Sequence, residues 1–262
     1  MESMFGLDAY SPEEVAARVD DVAVRKARLS IVQTVLLGVL AGGFIGLGGL
    51  FFTLVTSDTS LGFAASSVLG GVVFSLGLLL VVVAGAELFT GNNLLVMAWV
   101  SRRISTVELL RNWGLVFIGN MIGALGLVLL VALSNHGAMN DGAVSMQAIR
   151  VAQAKVSMPV SEAFFKGVLC NMLVCLAVWM SMAGRSVTDK AVGVVFPITA
   201  FVAAGFEHSI ANLYFIPFGM VLGAKISWIG LLQNLVPIAL GNIVGGSLLV
   251  GLVYRMIYRP AA

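Results

Sequence analysis

Long stretches without a charged residue alternate with short charged segments along this chain. Uncharged runs cover residues 29–57, 59–86, 112–140 and 226–254, and a shorter run covers 167–184. About 20 apolar residues cross the hydrocarbon core of a bilayer as a helix, so these runs predict membrane-spanning helices. The pattern predicts six spans, at about residues 29–56, 63–101, 106–134, 159–182, 188–222 and 229–256.

The second and fifth predicted spans contain charged or titratable residues near mid-membrane, where such groups are costly and usually face a cavity or pathway. In the second span, Glu87 is followed by residues 88–101, which extend only about 21 Å as a helix, too short to cross alone. In the fifth, Glu207 and His208 separate two similarly short stretches. A helix interrupted near its middle explains both spans; a re-entrant half-helix is the alternative for residues 88–101.

The two interruptions share a motif. GAELFTGN (85–92) and GFEHSIAN (205–212) both read G-x-E-x-x-x-x-N. Farther along, four residues recur at identical spacing: Asn112, Gly119, Asn120 and Gly123 as Asn234, Gly241, Asn242 and Gly245. A duplicated unit of three spans must insert its second copy upside down, so that two broken helices meet at a midplane site. The pattern therefore predicts an all-α integral membrane protein with six transmembrane helices as an inverted 3+3 repeat, helices two and five broken.

Residues 1–28 carry both acids and bases and no apolar core of a cleaved signal, so we expect a cytoplasmic amphipathic helix. Ser11 is the predicted N-cap, Pro12 the first helical residue, and Glu14 closes a capping box. Three valines then fall on one helical face: Val15, Val19 and Val22. This pattern is typical of a helix lying on the membrane surface. The alternative is a regulatory plug or a docking arm for a cytoplasmic partner.

Lysine and arginine counts near the span ends predict the orientation. One side collects the basic residues of segments 18–28, 102–111, 185–190 and 255–259. The other side has only Arg150, Lys155, Lys166 and Lys225. Both termini are therefore expected in the cytoplasm. Residues 29–258 are expected to form one six-span membrane domain with a transport pathway, and residues 259–262 a short cytoplasmic tail.

Composition agrees with a membrane protein and excludes several function classes. The chain is 59% hydrophobic and 11% charged, against about 25% charged residues in soluble domains. The formal net charge of +2 indicates no nucleic-acid partner. Cys170 and Cys175 lie on different faces of one apolar segment and indicate neither a disulfide nor a metal site. A membrane enzyme is disfavoured, since the two histidines are far apart; we expect no metal and no cofactor.

Three segments carry a resemblance to a known family: AGAELFTGN, KGVLCNMLVCLAVWMSMAGRSVTDKA (166–191) and AAGFEHSIANLYFIP (203–217). They resemble the formate/nitrite transporter family, most closely its formate channel branch, and the likeness runs over about residues 20–258. The resemblance implies an aquaporin-like protomer with its own pore, assembled as a homopentamer in a bacterial-type cytoplasmic (inner) membrane. It also implies a small weak-acid anion as cargo, most often formate, with a nitrite or hydrosulfide channel as the alternative.

The resemblance also assigns roles to particular residues. His208 would be the central histidine with Thr90 opposite it, Lys155 the basic residue of the outer vestibule, and Asn171 its polar neighbour. Asn212 and Asn242 would be polar pore or loop-stabilising groups. Apolar constrictions would come from Phe74, Leu78, Leu88, Phe89, Val174 and Phe201. The paired Glu87 and Glu207 are interpreted as structural acceptors for unwound backbone amides, because an anion pore should not present bare carboxylates to its cargo.

These parts suit the passage of an anion. An isolated carboxylate in an apolar slit carries a solvation cost of order tens of kcal/mol before relaxation. Lys155 would concentrate the anion at the mouth, and Thr90 and His208 would hydrogen-bond it. Histidine, with an unperturbed pKa of about 6.5, can also hand over a proton so that a neutral acid crosses. A neutral-solute aquaporin-like pore is the remaining rival, and the two Asn-Pro-Ala motifs typical of that architecture do not occur in this sequence.

Overall fold

The protein was analysed as a computed structural model that describes residues 9–258; the expected tail, 259–262, lies outside the described residues. The first half contains α1 (Pro12–Ala27), α2 (Ile31–Thr56), α3 (Phe63–Phe74), α4 (Leu76–Leu80), α5 (Val96–Val100) and α6 (Thr106–Leu133). The second half contains α7 (Ala143–Val156), α8 (Val160–Ala183), α9 (Val187–Ala203), α10 (Ser209–Val221), α11 (Trp228–Ile243) and α12 (Val253–Ile257). A π-helical turn, Val81–Gly85, extends α4, a 3₁₀ turn, Gly91–Leu95, precedes α5, and a second π segment, Val244–Leu252, joins α11 to α12.

Five helical segments in the described part of the chain are long and apolar enough to cross a membrane. They are Ile31–Thr56, Phe63–Gly85, Thr106–Leu133, Val160–Ala183 and Trp228–Ile257. The chain is thus an all-helical, multi-pass membrane protein. The piece before Glu87 already has spanning length, 23 residues. In the fifth predicted span, by contrast, α9 and α10 are separate helices of 17 and 13 residues.

Side-chain caps fix where the helices begin. The predicted capping box of α1 is confirmed: Ser11 accepts from the N–H of Glu14, and the Glu14 carboxylate accepts from the N–H of Ser11. The same reciprocal arrangement begins α2, α6 and α9, with the pairs Ser30–Gln33, Ser105–Glu108 and Ser186–Asp189. Each cap satisfies backbone donors that have no partner inside the helix.

Glycines bring two pairs of helices into close contact, as small residues do in membrane bundles. On α6, a Cβ at Gly119 or Gly123 would overlap the carbonyl oxygens of Val35 or Val39 on α2. On α11, a Cβ at Gly241 or Gly245 would overlap the carbonyl oxygens of Phe164 or Val168 on α8. The glycines that recur in the sequence therefore make the same helix contact twice.

The apolar face of α1 packs on protein rather than on lipid. Val15 and Val19 are buried in a cluster with Leu94, Met97 and Trp179. The valine face of α1 therefore contacts the rest of the protein and is not free to contact lipid.

An ionic contact fastens α1 to the loop before α6. Arg103 lies 3.0 Å from Asp20 and 2.8 Å from Asp21. Its hydrogen bonds to Asp20 and then Asp21 raise the pKa of the Arg103 guanidinium above its ordinary value. Arg111 donates to the carbonyl oxygens of Ala27 and Leu29 at the end of the helix.

Candidate functional site

Both interruptions begin at a glycine in the left-handed region of backbone space. Gly85 has φ +85° and Gly205 has φ +69°, a conformation that favours glycine. After each glycine the chain runs extended past a glutamate, whose backbone N–H donates to a neighbouring helix: Glu87 to the Leu37 carbonyl and Glu207 to the Lys166 carbonyl. The glycine of the G-x-E motif is thus required for the turn out of the helix at both sites.

One buried asparagine stabilises each interruption. Asn120 donates to the carbonyl oxygens of Gly38 and Glu87, both at 2.8 Å, and accepts from the N–H of Phe89. Asn242 donates to the carbonyl oxygens of Gly167 and Glu207, at 2.8 and 3.0 Å, and accepts from the N–H of Ser209. Backbone groups freed by the interruption are therefore satisfied inside the protein, as non-helical backbone at membrane depth requires.

The two glutamates accept hydrogen bonds and ion pairs from side chains, not from the unwound backbone amides expected. Glu87 lies 3.0 Å from the Lys26 ammonium and accepts from the Asn92 amide at 2.6 Å. Glu207 accepts from Lys155 with both oxygens at 2.9 Å and from Asn212 at 2.7 Å. The backbone amides are held instead by Asn120 and Asn242, because their carboxamides can reach N–H and C=O groups at once.

A third asparagine closes each network. Asn92 donates to Asn112, which donates to the carbonyl oxygen of Lys26. Asn212 donates to Asn234, which donates to the carbonyl oxygen of Lys155. Lys155 and Glu207 have side chains that are 14% and 6% exposed, so their charges depend on each other and on these amides. Lys26, to which the sequence analysis assigned no partner, is paired with Glu87.

His208 begins α10 and joins the two interruptions. Its Nδ1 accepts from the backbone N–H of Ala211 at 3.1 Å and caps the helix. Its Nε2 lies 3.0 Å from Thr90 Oγ1, and both side chains are buried. Since Nδ1 accepts, the hydrogen of a neutral ring is on Nε2 and is donated to Thr90. The structure therefore brings the predicted pair into direct contact.

Asn171 lies beside the first interruption rather than beside Lys155. Its amide nitrogen is 3.3 Å from the Thr90 carbonyl oxygen, 2.7 Å from Asn93 Oδ1 and 2.6 Å from the Asn242 carbonyl oxygen. This fully buried side chain thus links α8 to both interrupted regions. The expected proximity to Lys155 is replaced by contacts that position the backbone of Thr90.

A narrow cavity lies against His208. Its lining contains five of the six expected constriction residues and two isoleucines that the sequence did not single out: Phe74, Leu78, Leu88, Val174, Phe201, Ile45 and Ile198. The ring of Phe201 stacks on the imidazole, with centroids 6.0 Å apart. Phe89 is not part of this lining; its ring packs edge-to-face against Phe117 and Trp113. The cavity is therefore apolar except for the histidine.

The structure also bears on metal binding. Within residues 9–258, no group of three or more His, Cys, Asp or Glu side chains is placed to hold a metal ion. The buried polar groups of the site are instead amides, ion pairs and one imidazole.

Spanning helices, two interruptions that meet, and an apolar cavity with one imidazole define a membrane transport protein. Comparison with known proteins agrees. A family model described as formate/nitrite transporter matches residues 13–256. The formate channel FocA of Escherichia coli (strain K12) is 40% identical, over 96% of this chain and 95% of the relative. The uncharacterized transporter YrhG of Bacillus subtilis (strain 168) is also 40% identical, over 95% and 93% of the two chains.

A solved structure described as a pentameric formate channel with formate bound is similar as well. It has 37% sequence identity and a TM-score of 0.81, over 88% of this chain and 98% of that chain. The chain therefore belongs to the formate/nitrite transporter family. Its members are transporters and channels rather than enzymes.

Proposed function

We propose that this protein is a channel for small monovalent weak-acid anions, with formate as its main cargo. The buried contact between Thr90 and His208, at 3.0 Å beside an apolar cavity, carries the proposal. A narrow apolar passage in which the Thr90–His208 pair supplies the polar contact suits a small cargo that can exist either as an anion or as a neutral acid. The FocA relatives and the formate-bound structure support formate among such cargoes.

We propose further that the two halves form an inverted repeat with six crossings. Lysine, glutamate and three asparagines make corresponding hydrogen bonds at each interruption, which supports two copies of one unit. In this topology both termini are cytoplasmic in a bacterial inner membrane, and α9 with α10 forms the fifth crossing. Assembly as a homopentamer, with one pore per protomer, is proposed from the similar pentameric channel.

The residues that line the narrow cavity support the proposal that the symmetry axis relating the two halves passes through it. Counting from the paired residues Gly38 and Gly167, Ile45 corresponds to Val174. Counting from Glu87 and Glu207, Leu78 corresponds to Ile198, and Leu88 corresponds to His208. All six of these residues line the same cavity. Corresponding positions thus face one another across the passage, and the histidine faces an apolar counterpart.

In the proposed mechanism, His208 acts first as a hydrogen-bond donor. The neutral ring donates from Nε2 to Thr90, which leaves the hydroxyl hydrogen of Thr90 available to an anion. Desolvation of the carboxylate in the apolar cavity is offset by these directed donors, since hydrogen bonds to charged groups contribute more than neutral ones.

Proton-linked passage adds one requirement. To deliver a net proton from Nε2, the ring must gain one at Nδ1, where it now accepts from the Ala211 N–H. Two donors cannot share that position, so protonation requires that the cap on α10 be released. Passage of the cargo as a neutral acid therefore requires that the hydrogen bond from the Ala211 N–H to His208 Nδ1, at the start of α10, be broken.

Two substitutions of His208 separate these roles in proteoliposomes containing the purified protein. His208→Phe removes both donor and proton, and we expect formate uptake to fall at least about tenfold. His208→Asn can still accept from the Ala211 N–H through Oδ1 but cannot take up a proton. We expect it to keep measurable anion passage while losing the dependence of uptake on pH between pH 5 and 8.

The result that contradicts the histidine role is undiminished, pH-dependent formate uptake by His208→Phe. Parallel assays with nitrite, hydrosulfide and glycerol test the cargo itself. Formate uptake should exceed the others, and glycerol uptake should be small. Rapid glycerol uptake without formate uptake would overturn the anion channel in favour of a neutral-solute pore.

The side chains that line the cavity predict that cargo larger than formate is excluded by size. Phe74 is buried in the lining and contacts the ring of Phe201 edge-to-face, at 5.8 Å between centroids. Phe74→Leu shortens the side chain at the constriction, so we expect the ratio of lactate to formate uptake to rise several-fold. Phe89→Leu is the matched control, since this buried ring packs outside the cavity; its uptake ratio should stay at the wild-type value. Equal ratios in both variants would contradict the assignment of Phe74 to the constriction.

A further inference from the structure

A polar cluster of four buried side chains holds the 3₁₀ turn that follows Thr90: Asn93, Asn171, Cys175 and Ser247. Asn171 donates to Asn93 Oδ1 at 2.7 Å, and Ser247 donates to the Asn93 carbonyl oxygen at 3.1 Å. Asn93 is therefore held through both its side chain and its backbone. A 3₁₀ turn has poorer hydrogen-bond geometry than an α-helix, so contacts from α8 and from the segment after α11 help to maintain this one.

The polar cluster meets the site at the carbonyl oxygen of Thr90. This oxygen accepts from the Asn93 N–H at 3.3 Å, and the Asn171 amide nitrogen and Cys175 Sγ lie 3.3 and 3.4 Å from it. The Asn171 amide has two N–H groups for three acceptors, since it also contacts Asn93 Oδ1 and the Asn242 carbonyl oxygen. Its contact with Thr90 is the longest of the three, and the Cys175 thiol supplies a further, weaker donor there. The backbone of Thr90 is thus fixed by donors from α8 and from its own turn.

The corresponding positions at the second interruption carry apolar residues or glycine. Counted from the pairs Glu87/Glu207, Gly38/Gly167 and Asn120/Asn242, the correspondences are Asn93 to Leu213, Asn171 to Gly42, Cys175 to Gly46 and Ser247 to Leu125. A Cβ at Gly46 would come within 3.1 Å of the Tyr214 ring, so aromatic packing occupies the place that the Cys175 thiol occupies in the other half. The polar cluster is therefore a feature of the Thr90 side and not of the repeat.

Gly246 makes room for the polar cluster. A Cβ at this position would overlap the Asn171 amide, and it would lie 2.7 Å from Cys175 Sγ and 3.0 Å from Asn93 Cβ. The corresponding residue of the first half is Ala124, which has a Cβ. Glycine is thus needed here in the half that contains the polar cluster.

We propose that Asn93, Cys175 and Ser247 are positioning residues that hold Thr90 for contact with a small anion in the passage. The inference rests on the proposed function, in which the Thr90 hydroxyl donates to the anion. Thr90 Oγ1 lies 3.0 Å from His208 Nε2, and a shift of the Thr90 backbone would weaken this contact and the one to the anion, because hydrogen bonds depend steeply on distance and angle. Thr90 is then the fixed partner, and the movement that protonation requires is made by His208.

The test is a cycle of variants, measured as initial formate uptake into proteoliposomes that contain the full chain. Asn93→Ala/Ser247→Ala removes the side-chain acceptor for Asn171 and the donor to the Asn93 carbonyl oxygen. We expect its uptake at subsaturating formate to fall about three- to tenfold. Thr90→Val lacks the hydroxyl, so adding the two alanine substitutions to it should change its uptake by less than about twofold, because residues that act through one group are not additive with its removal. Wild-type uptake by the alanine variant, or an equal further fall in the Thr90→Val background, would overturn the inference.

Hydrogen–deuterium exchange of the purified proteins locates the effect in the chain. In Asn93→Ala/Ser247→Ala, the amides of residues 91–95 should exchange faster than in wild type, and those of residues 209–213 should keep the wild-type rate. Ser181→Ala is the matched control: Ser181 is as buried as Ser247, each 2% exposed, but its hydroxyl donates within α8, to the Val178 carbonyl oxygen. The control should change neither exchange nor uptake by more than about twofold.

The exchange measurement does not depend on the cargo. Unchanged exchange at residues 91–95 would overturn the inference, and this result decides the question if Thr90→Val passes no measurable formate. Absence of formate uptake by the wild-type protein is a separate result, since it contradicts the proposed function itself.

Discussion

Asn242→Leu is expected to prevent accumulation of the folded protein in the membrane. Leucine has nearly the size of asparagine but leaves two buried backbone groups unpaired, Ser209 N–H and the Glu207 carbonyl oxygen, and removes the second hydrogen bond to the Gly167 carbonyl within α8. Each unsatisfied buried group costs about 1–3 kcal/mol, so the loss is a large fraction of the total stability of a typical domain, about 5–15 kcal/mol. The measurement is the yield and monodispersity of detergent-solubilised protein on size exclusion, compared with wild type.

Two further variants make this result specific. Asn120→Leu should have the same effect, because Asn120 makes the corresponding three hydrogen bonds at the first interruption. Leu240→Ala, on the same helix as Asn242 but 53% exposed, should express and elute like wild type. Normal yield from Asn242→Leu would show that the interruption does not need these hydrogen bonds, and it would remove the structural reason for the paired asparagines.

The paired asparagines were the part of this site most open to prediction from sequence. In an apolar chain, matches between leucines or valines carry little information, whereas asparagines at identical spacing require a reason. Six of them, in the pairs 92/212, 112/234 and 120/242, prove to be the amide groups of the two networks. Their exact partners could not be predicted, because hydrogen-bond geometry depends on how α2, α6, α8 and α11 approach one another.

The lysines show where sequence reasoning is limited. A lysine before an apolar span commonly extends to the membrane interface, so Lys26 and Lys155 have an ordinary explanation without any partner. Only the fold places Lys26 against Glu87, which is far away in the sequence, and Lys155 against Glu207. Lys26 and Lys155 each stand twelve residues before a GVL segment, at 38–40 and 167–169. This recurrence is not sufficient to identify ion pairs.

The cavity lining shows a second limit. Phenylalanine and leucine on a membrane helix can face lipid, a neighbouring helix or a passage, and periodicity does not distinguish these environments. The expected constriction residues came from the family resemblance alone, which included Phe89 and did not include Ile45 or Ile198. The structure shows Phe89 against Phe117 and Trp113 because the turn after Glu87 directs consecutive side chains to different surroundings.

The second large effect is expected from Lys155→Met, which should destabilise the protein through Glu207. The Glu207 side chain is 6% exposed, and removal of its cation leaves a buried carboxylate whose remaining side-chain donor, among residues 9–258, is Asn212. Breaking a buried pair from one side costs about 3–5 kcal/mol. For a chain of this size that loss corresponds to a decrease in melting temperature on the order of 10 °C. Thermal unfolding of the detergent-solubilised protein, followed by intrinsic fluorescence, measures it.

The double variant Lys155→Met/Glu207→Gln distinguishes an ion pair from an anion-attracting lysine. Glutamine is neutral and its amide oxygen can still accept from Asn212, so we expect the double variant to recover most of the lost melting temperature. Lys225→Met, which removes an exposed lysine, should melt like wild type. If Lys155 acted mainly by attracting the anion, the single variant would keep wild-type stability and lose uptake at low salt, and the second substitution would not restore uptake. That outcome would show that Lys155 attracts the anion and would leave the ion pair without a structural role.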